Sequence, residues 1–179
     1  MDVQTYFKNL ERDVKKVYEV ARKARAKGFD PVDDVEVPLA KTMAEKAVAL
    51  VATAFPQVNT PKIVNRILEL EKQYGKLDPA VSFAIAEEVA KQKFCKFSSL
   101  IEAIEAGVKV GFAYMTLGVV SSPIEGFTKL KLGKTRDGKD YFVAYFSGPI
   151  RSAGTTASCM VLILINHLRE LFGLSLIHI

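Results

Sequence analysis

Apolar residues recur at steps of three and four from the start of the chain. Tyr6, Phe7, Leu10, Val14, Val17, Tyr18 and Ala21 share one face of a helix expected from about Val3 to Ala26, with Lys and Arg opposite. Gly28 is a natural stop, and residues 29–38, with two prolines, read as a loop. An alanine-rich second helix is expected over residues 39–53, with Met43, Ala47, Leu50 and Val51 as its apolar side. Thr60-Pro61 and Asp78-Pro79 each set a capping side chain ahead of a proline at the first helical position. They open helices through Ile63, Ile67, Leu70 and Tyr74, stopped by Gly75, and through Val81, Phe83, Ile85 and Val89. Ser99 and Glu102 have capping-box spacing and start a helix through Ile101, Ile104, Val108, Phe112 and Met115, with Gly118 as its end.

The pattern then changes period. Val119-Val120 begins an extended stretch broken by Pro123. Over residues 127–134, Lys129 and Lys131 alternate with Leu130 and Leu132, the two-residue repeat of a half-buried strand. Asp137-Gly138 supplies a hairpin turn. Residues 141–146 return as an aromatic strand, apolar on both faces and therefore in need of cover, for which a final helix over residues 152–172 is the candidate. No internal repeat interrupts this order. The predicted class is α+β: a helical N-terminal portion, a small antiparallel β-hairpin and a buried C-terminal helix. The expected divisions are a basic amphipathic arm (1–28), a helical region (39–117), the hairpin plus helix (118–173) and a tail (174–179).

Composition refines this picture only modestly. With 179 residues, 49% of them apolar and 25% charged, the chain can bury a real core. The net charge of +5 tilts it towards polyanionic partners without requiring one. Lys8, Arg12, Lys15, Lys16, Arg22, Lys23, Arg25 and Lys27 crowd the first helix, and Asp30, Asp33, Asp34 and Glu36 follow. Two readings stay open: a solvated helix face, or an arm that touches nucleic acid or an acidic surface. Cys95 and Cys159 lack the paired spacing of a zinc site, and Cys159, opening an apolar run, reads as a buried free thiol. That run, residues 159–165, is too short to span a membrane, and the polar N-terminus lacks a secretory core; a cytoplasmic protein is expected.

The most informative stretch is residues 147–158, Ser-Gly-Pro-Ile-Arg-Ser-Ala-Gly-Thr-Thr-Ala-Ser. Gly148-Pro149 breaks the strand, and small and hydroxylated residues then crowd a helix start, where unpaired N–H groups favour an anion. Arg151 adds a bidentate donor. Neither the Walker pattern nor Gly-x-Gly-x-x-Gly is present. A bland alternative stands beside the phosphate-binding one: the small residues allow close packing, Ser152 or Thr155 caps the helix, and Arg151 pairs with a carboxylate, Glu125 being the candidate. Asp33/Asp34 and Glu87/Glu88 are adjacent pairs, and helical neighbours diverge, so no two-metal site is readable. His167 is placed on the polar side of the last helix and His178 in the tail. No catalytic residue is assigned.

The string Gly148-Pro149-Ile150-Arg151-Ser152-Ala153-Gly154 after an aromatic strand resembles a signature of the large subunit of archaeal family D DNA polymerase. Three more matches come in the same order: the basic end of the first helix (residues 21–27), Asp34-Val35-Glu36-Val37-Pro38, and Val119-Val120-Ser121-Ser122-Pro123-Ile124-Glu125-Gly126. Where the family shows a second glycine, this chain has Thr155. The resemblance spans about residues 3–173 and implies the N-terminal part of a replicative, two-subunit enzyme. It further implies a polymerase site with magnesium, and zinc modules, elsewhere in the large subunit, and a 3′→5′ exonuclease on the small one. None of those residues lies in this chain, so no cofactor is expected here. The candidate DNA- or phosphate-facing residues are Arg151, Ser152, Gly154 and Thr155, with Glu125 as structural partner. The implied partners are the small exonuclease subunit and a DNA primer-template. The apolar hairpin and last helix call for a further partner, either a downstream domain or self-association with a second copy. Two other readings remain: a stand-alone basic nucleic-acid-binding module, and a phosphate-ligand-binding domain. Residues 174–179 resemble a translated sequencing adapter and are expected to be a non-native tail.

Overall fold

A computed structural model of the chain describes residues 2–29, 40–116, 125–148, 150, 155–174 and 177–178. It divides into two compact units, Met1–Ala40 and Lys41–Ile179.

The first unit is one long helix, α1 (Val3–Ala26). The Asp2 carboxylate accepts the Thr5 amide at 2.9 Å and caps the start. At the other end Gly28 takes φ +76°, a left-handed turn that glycine adopts without steric penalty. This lets the Gly28 amide reach the Arg25 carbonyl (2.8 Å) and the Phe29 amide reach that of Ala24 (3.0 Å), a paired closure of the last helical turn. No residue of α1 is buried, and Val17 and Val20 are exposed.

The second unit runs α2 (Met43–Ala52), a 3₁₀ turn (Pro56–Val58), α3 (Pro61–Tyr74), α4 (Pro79–Ala90), α5 (Leu100–Met115), β1 (Phe127–Lys134), β2 (Asp140–Phe146), α6 (Thr155–Leu171) and a two-residue strand, β3 (Ile177–His178). The class is α+β, as the hydrophobic pattern predicts. The proline-led starts hold: Thr60 accepts the Lys62 amide (3.1 Å) and Asp78 that of Ala80 (2.8 Å). Ser99 accepts the Glu102 amide (3.2 Å), but the Glu102 carboxylate turns to the Ser98 amide (2.8 Å) and Gln57 (3.0 Å) instead of completing a reciprocal cap. A full capping box occurs instead at Thr42 and Glu45, so α2 starts at Met43 rather than at residue 39. Helix α5 ends at Met115, and Gly118 lies outside the described residues.

The arrangement turns on α5. Every residue from 103 to 114 is buried, so this helix has no solvent face. It meets α2, α4, α6 and β1. Its apolar residues accordingly divide between two cores. Ala106, Val110 and Ala113 join Val48, Val51, Ile63, Ile67 and Ile85. Ile104, Val108 and Phe112 join Phe127, Leu130, Phe142, Val161, Leu164 and Ile165. Close approach to α4 requires glycine: a Cβ on Gly107 would sit 2.5 Å from the Ala86 carbonyl oxygen, and one on Gly111 2.7 Å from that of Ser82. At the end of α5 the Tyr114 hydroxyl donates to Glu71 (2.8 Å) and accepts the amide of Leu77 (3.0 Å), a residue held at φ +64°. Burial first, and then the Glu71 carboxylate, push the Tyr114 phenol up to about 12.

Strands β1 and β2 pair antiparallel with Leu130 opposite Ala144, Lys131 opposite Val143 and Leu132 opposite Phe142, and the register shifts between Phe127 and Lys129. Gly138, at φ +81°, makes the expected turn. β3 pairs in parallel with the other side of β2, giving the order β1-β2-β3. The expected cover from the last helix is shared: α5 lies against β1, and α6 fills the same core.

Ion pairs tie the helices together. Arg66 bridges Glu88 (2.9 Å) and Glu69 (3.0 Å), and Lys93 also reaches Glu88 (3.2 Å). Burial works to raise the Glu88 carboxyl, but the hydrogen bonds from Arg66 and Lys93 outweigh it and leave the group below its ordinary range. A depressed carboxyl contributes stability that is present above its unfolded pKa and lost as pH falls through the folded value. Glu88→Gln is therefore expected to flatten the acid limb of the stability curve below about pH 4–5, read by urea unfolding across pH, while lowering stability at neutral pH.

Candidate nucleic-acid interface

The hairpin has two unlike faces. Leu130, Phe142 and Ala144 point into the core. The alternate positions, Lys129 and Lys131 on β1 and Val143 and Tyr145 on β2, form the other face, where Tyr145 stays 43% exposed. The sequence reads β2 as apolar on both faces and in need of cover, and the structure covers one of the two. The Lys131 ammonium sits 5.2 Å from the centre of the Tyr145 ring. Tyr141 folds over Gly133, whose missing Cβ leaves the room: a Cβ there would lie 2.5 Å from the ring. At the tip, Lys134 pairs with Asp140 (2.9 Å) and Lys139 with Asp137 (3.0 Å). Among the described residues Lys129, Lys131 and Arg136 have no carboxylate in an ion pair, which leaves cationic and aromatic groups side by side on an accessible sheet face.

What fixes this face is a buried ion pair that the sequence reading missed. Glu105 and Lys109 on α5 lie one turn apart, 3.0 Å between oxygen and nitrogen, with both side chains nearly inaccessible. Each also serves β1. Glu105 accepts the Leu130 amide at 2.9 Å, and Lys109 donates to the Thr128 carbonyl at 3.2 Å. The pair thus supplies one donor and one acceptor of the kind a neighbouring strand would have supplied, at Thr128 and Leu130 on the outer edge of β1. Lys109 lies besides between the rings of Phe55 (5.2 Å) and Phe127 (5.6 Å). The available signal was an acid and a base four residues apart inside a helix otherwise apolar all round, where no solvent face exists to hold them.

The turn after β2 is described in part. Arg151, Ser152 and Gly154 lie outside the described residues. Thr155 is the exposed first residue of α6. Glu125 is exposed; its backbone carbonyl accepts the Ser147 hydroxyl, and the Ser147 amide reaches the Gly126 carbonyl at 2.9 Å. The entry to β1 and the exit from β2 are thereby fastened together, and Ile150 follows into the core with its amide on the Ser147 carbonyl (3.3 Å).

Several chemical candidates resolve differently from expectation. Cys159 is exposed, not buried, because α6 turns Ala157, Val161, Leu164, Ile165 and Leu168 inward and position 159 falls off that face. His167 is half-buried rather than on a polar surface: its ring meets Phe83 edge-on at 5.2 Å, and Nε2 lies 3.5 Å from Glu87. Glu87 and Glu88 diverge as expected, Glu87 towards Lys91 (2.5 Å) and Glu88 towards Arg66. Asp33 and Asp34 lie outside the described residues. Among the described residues no group of three or more His, Cys, Asp or Glu side chains is placed to hold a metal ion. No helix among them is long and apolar enough to cross a membrane.

The family described as DNA polymerase II large subunit DP2, N-terminal, matches residues 5–178. The chain belongs to this family. Similar curated proteins include the DNA polymerase II large subunits of Nanoarchaeum equitans, 40% identical over 94% of this chain, and of Thermococcus kodakarensis, 37% identical over 97% of it. That of Pyrococcus furiosus is 36% identical over 97%. The chain spans 14%, 9% and 13% of those three relatives respectively, and so corresponds to a small N-terminal part of each.

Removing one member of the buried pair strands the other. Glu105→Gln or Lys109→Met is expected to cost about 3–5 kcal/mol, with the double substitution markedly less than additive, in a urea-unfolding double-mutant cycle. Additive losses would mean the two side chains do not act on β1 as a unit.

Proposed function

We propose that this chain is the N-terminal scaffold of the polymerising subunit of a replicative DNA polymerase, and that the outer face of its hairpin borders the DNA path. The observation that carries the reading is the family match over residues 5–178 in a chain whose accessible sheet face bears Lys129, Lys131 and Tyr145. Cations on a rigid sheet attract phosphates irrespective of sequence, and an exposed aromatic ring offers a base a stacking surface. Rigidity comes from the hydrogen bonds of Glu105 and Lys109 to β1, which hold the strand that carries the lysines.

In this reading DNA-directed nucleotide addition belongs to residues elsewhere in the large subunit, together with the magnesium and zinc of the whole enzyme. Two-metal phosphoryl transfer needs converging carboxylates, whereas Glu87 and Glu88 diverge to separate cations. The chain alone is inactive. It assembles with a small subunit that supplies 3′→5′ exonuclease activity, acts on primer-template DNA and works in the cytoplasm. Arg151, Ser152, Gly154 and Thr155 are the further candidates for phosphate contact, with Glu125 as their structural partner.

The test is DNA binding by the two-subunit enzyme with Lys129→Ala and Lys131→Ala in this region. Affinity is expected to fall similarly for unrelated sequences, and the slope of log affinity against log salt to shrink by about one per lysine lost. Turnover at saturating DNA should stay unchanged. Unaltered affinity and slope would remove the hairpin from the DNA path. Tight, salt-sensitive binding by this chain alone would instead favour an independent nucleic-acid-binding module.

A further inference from the structure

The base of the hairpin is built differently from its tip. On β1 the register shifts between Phe127 and Lys129, so Thr128 is an extra residue and stands exposed beside Lys129. Thr128 is held twice: Lys109 donates to its carbonyl (3.2 Å), and its hydroxyl donates to the Tyr145 carbonyl (3.1 Å). Tyr145, directly across from Lys129, is therefore carried on a fixed stretch of backbone. The tip instead bears Asp137 and Asp140, each paired with a lysine. A ribbon entering a DNA groove tip-first would bring those carboxylates to the phosphates. The face beside Tyr145 carries lysines without that penalty.

The two tyrosines of the outer face have different explanations. The Tyr141 ring lies over Gly133 and covers backbone that has no side chain of its own. Tyr145 covers no glycine; its ring is 43% exposed and meets the Lys131 ammonium at 5.2 Å. Lys129 and Lys131 favour phosphate over an apolar protein surface as what comes to this ring. Along a duplex the faces of the bases are stacked on one another, and only their edges reach the grooves. A ring on a sheet can stack there only on a base that has left the duplex, and it does so irrespective of sequence.

We infer that the outer face of the hairpin takes DNA as an unpaired strand, with Tyr145 stacking one base and Lys129 and Lys131 engaging the flanking phosphates. This rests on the reading that the face borders the DNA path, and it names the form of DNA held there. The bulge at Thr128 keeps the ring and the facing lysine in one arrangement before the strand arrives.

The experiment uses the two-subunit enzyme with a mixed-sequence single-stranded oligonucleotide and the blunt duplex of the same sequence. Tyr145→Ala is expected to weaken binding of the single strand by about fivefold or more and to leave the duplex unchanged. Tyr145→Phe, which keeps the ring, should match the unaltered enzyme. An iododeoxyuridine-substituted single strand should photo-cross-link to Tyr145 of the unaltered enzyme. An equal loss for both DNAs, no loss for either, or cross-links that avoid Tyr145 would each overturn the inference. So would a Tyr145→Ala enzyme that sheds its small subunit, which would assign the face to a protein contact. If Lys129→Ala and Lys131→Ala weaken DNA binding and Tyr145→Ala does not, the DNA path stands and the unpaired strand falls. If none of the three alters binding, both fall.

Discussion

The structure of the larger unit depends on complete burial of one helix. Once residues 103–114 of α5 have no solvent side, every neighbour must meet a helix surface, and the only variables are how closely and with what. Glycine at 107 and 111 brings α4 to backbone contact. Branched and aromatic residues on the remaining surface divide into two cores, one all-helical and one shared with the hairpin and α6. The sheet alone, two strands and a two-residue third, would be marginal in water, and it persists because α5 supplies a wall for it.

Burying a Glu and a Lys in that wall looks unfavourable until their partners are counted. An ion pair taken from water seldom stabilises a fold over an apolar equivalent, and its best-supported use is to specify one arrangement. Here the arrangement specified is the placement of β1. An edge strand would otherwise offer its backbone to any passing strand. The carboxylate and ammonium satisfy the Leu130 amide and the Thr128 carbonyl of that edge, set the height of β1 against α5, and so determine which residues face out. Lys129, Lys131 and Tyr145 owe their exposure to this.

Much of this was legible beforehand. The proline-led caps at Thr60 and Asp78, the Asp-Gly turn and the alternation over β1 are local signals, decided by residues within a few positions of one another. What escaped was decided across the chain. The start of α2 moved because Thr42 and Glu45 form a reciprocal cap that outcompetes helical propensity at residue 39. Cys159 was assigned to the core from the apolar run around it, but the helical period, not the run, sets which side is inward. Glu105 and Lys109 went unremarked because an acid and a base four residues apart occur on any helix. Only the surrounding absence of polar residues marks them as internal. The family signature was readable at residues 148–154, whereas the cationic and aromatic face of the hairpin became visible only once the strand register was known.

A small, N-terminal part of a very long subunit gains from such a hub, since the residues that face out are held by packing rather than by loops. The central claim is that α5 organises the larger unit, and native-state hydrogen exchange under increasing denaturant tests it most directly. The account predicts that amides of α5 from residue 106 to 112 exchange only through global unfolding, with the same free energy and denaturant slope as the whole unit. Exchange of those amides through a smaller opening, while β1, β2 and α4 remain protected, would contradict it.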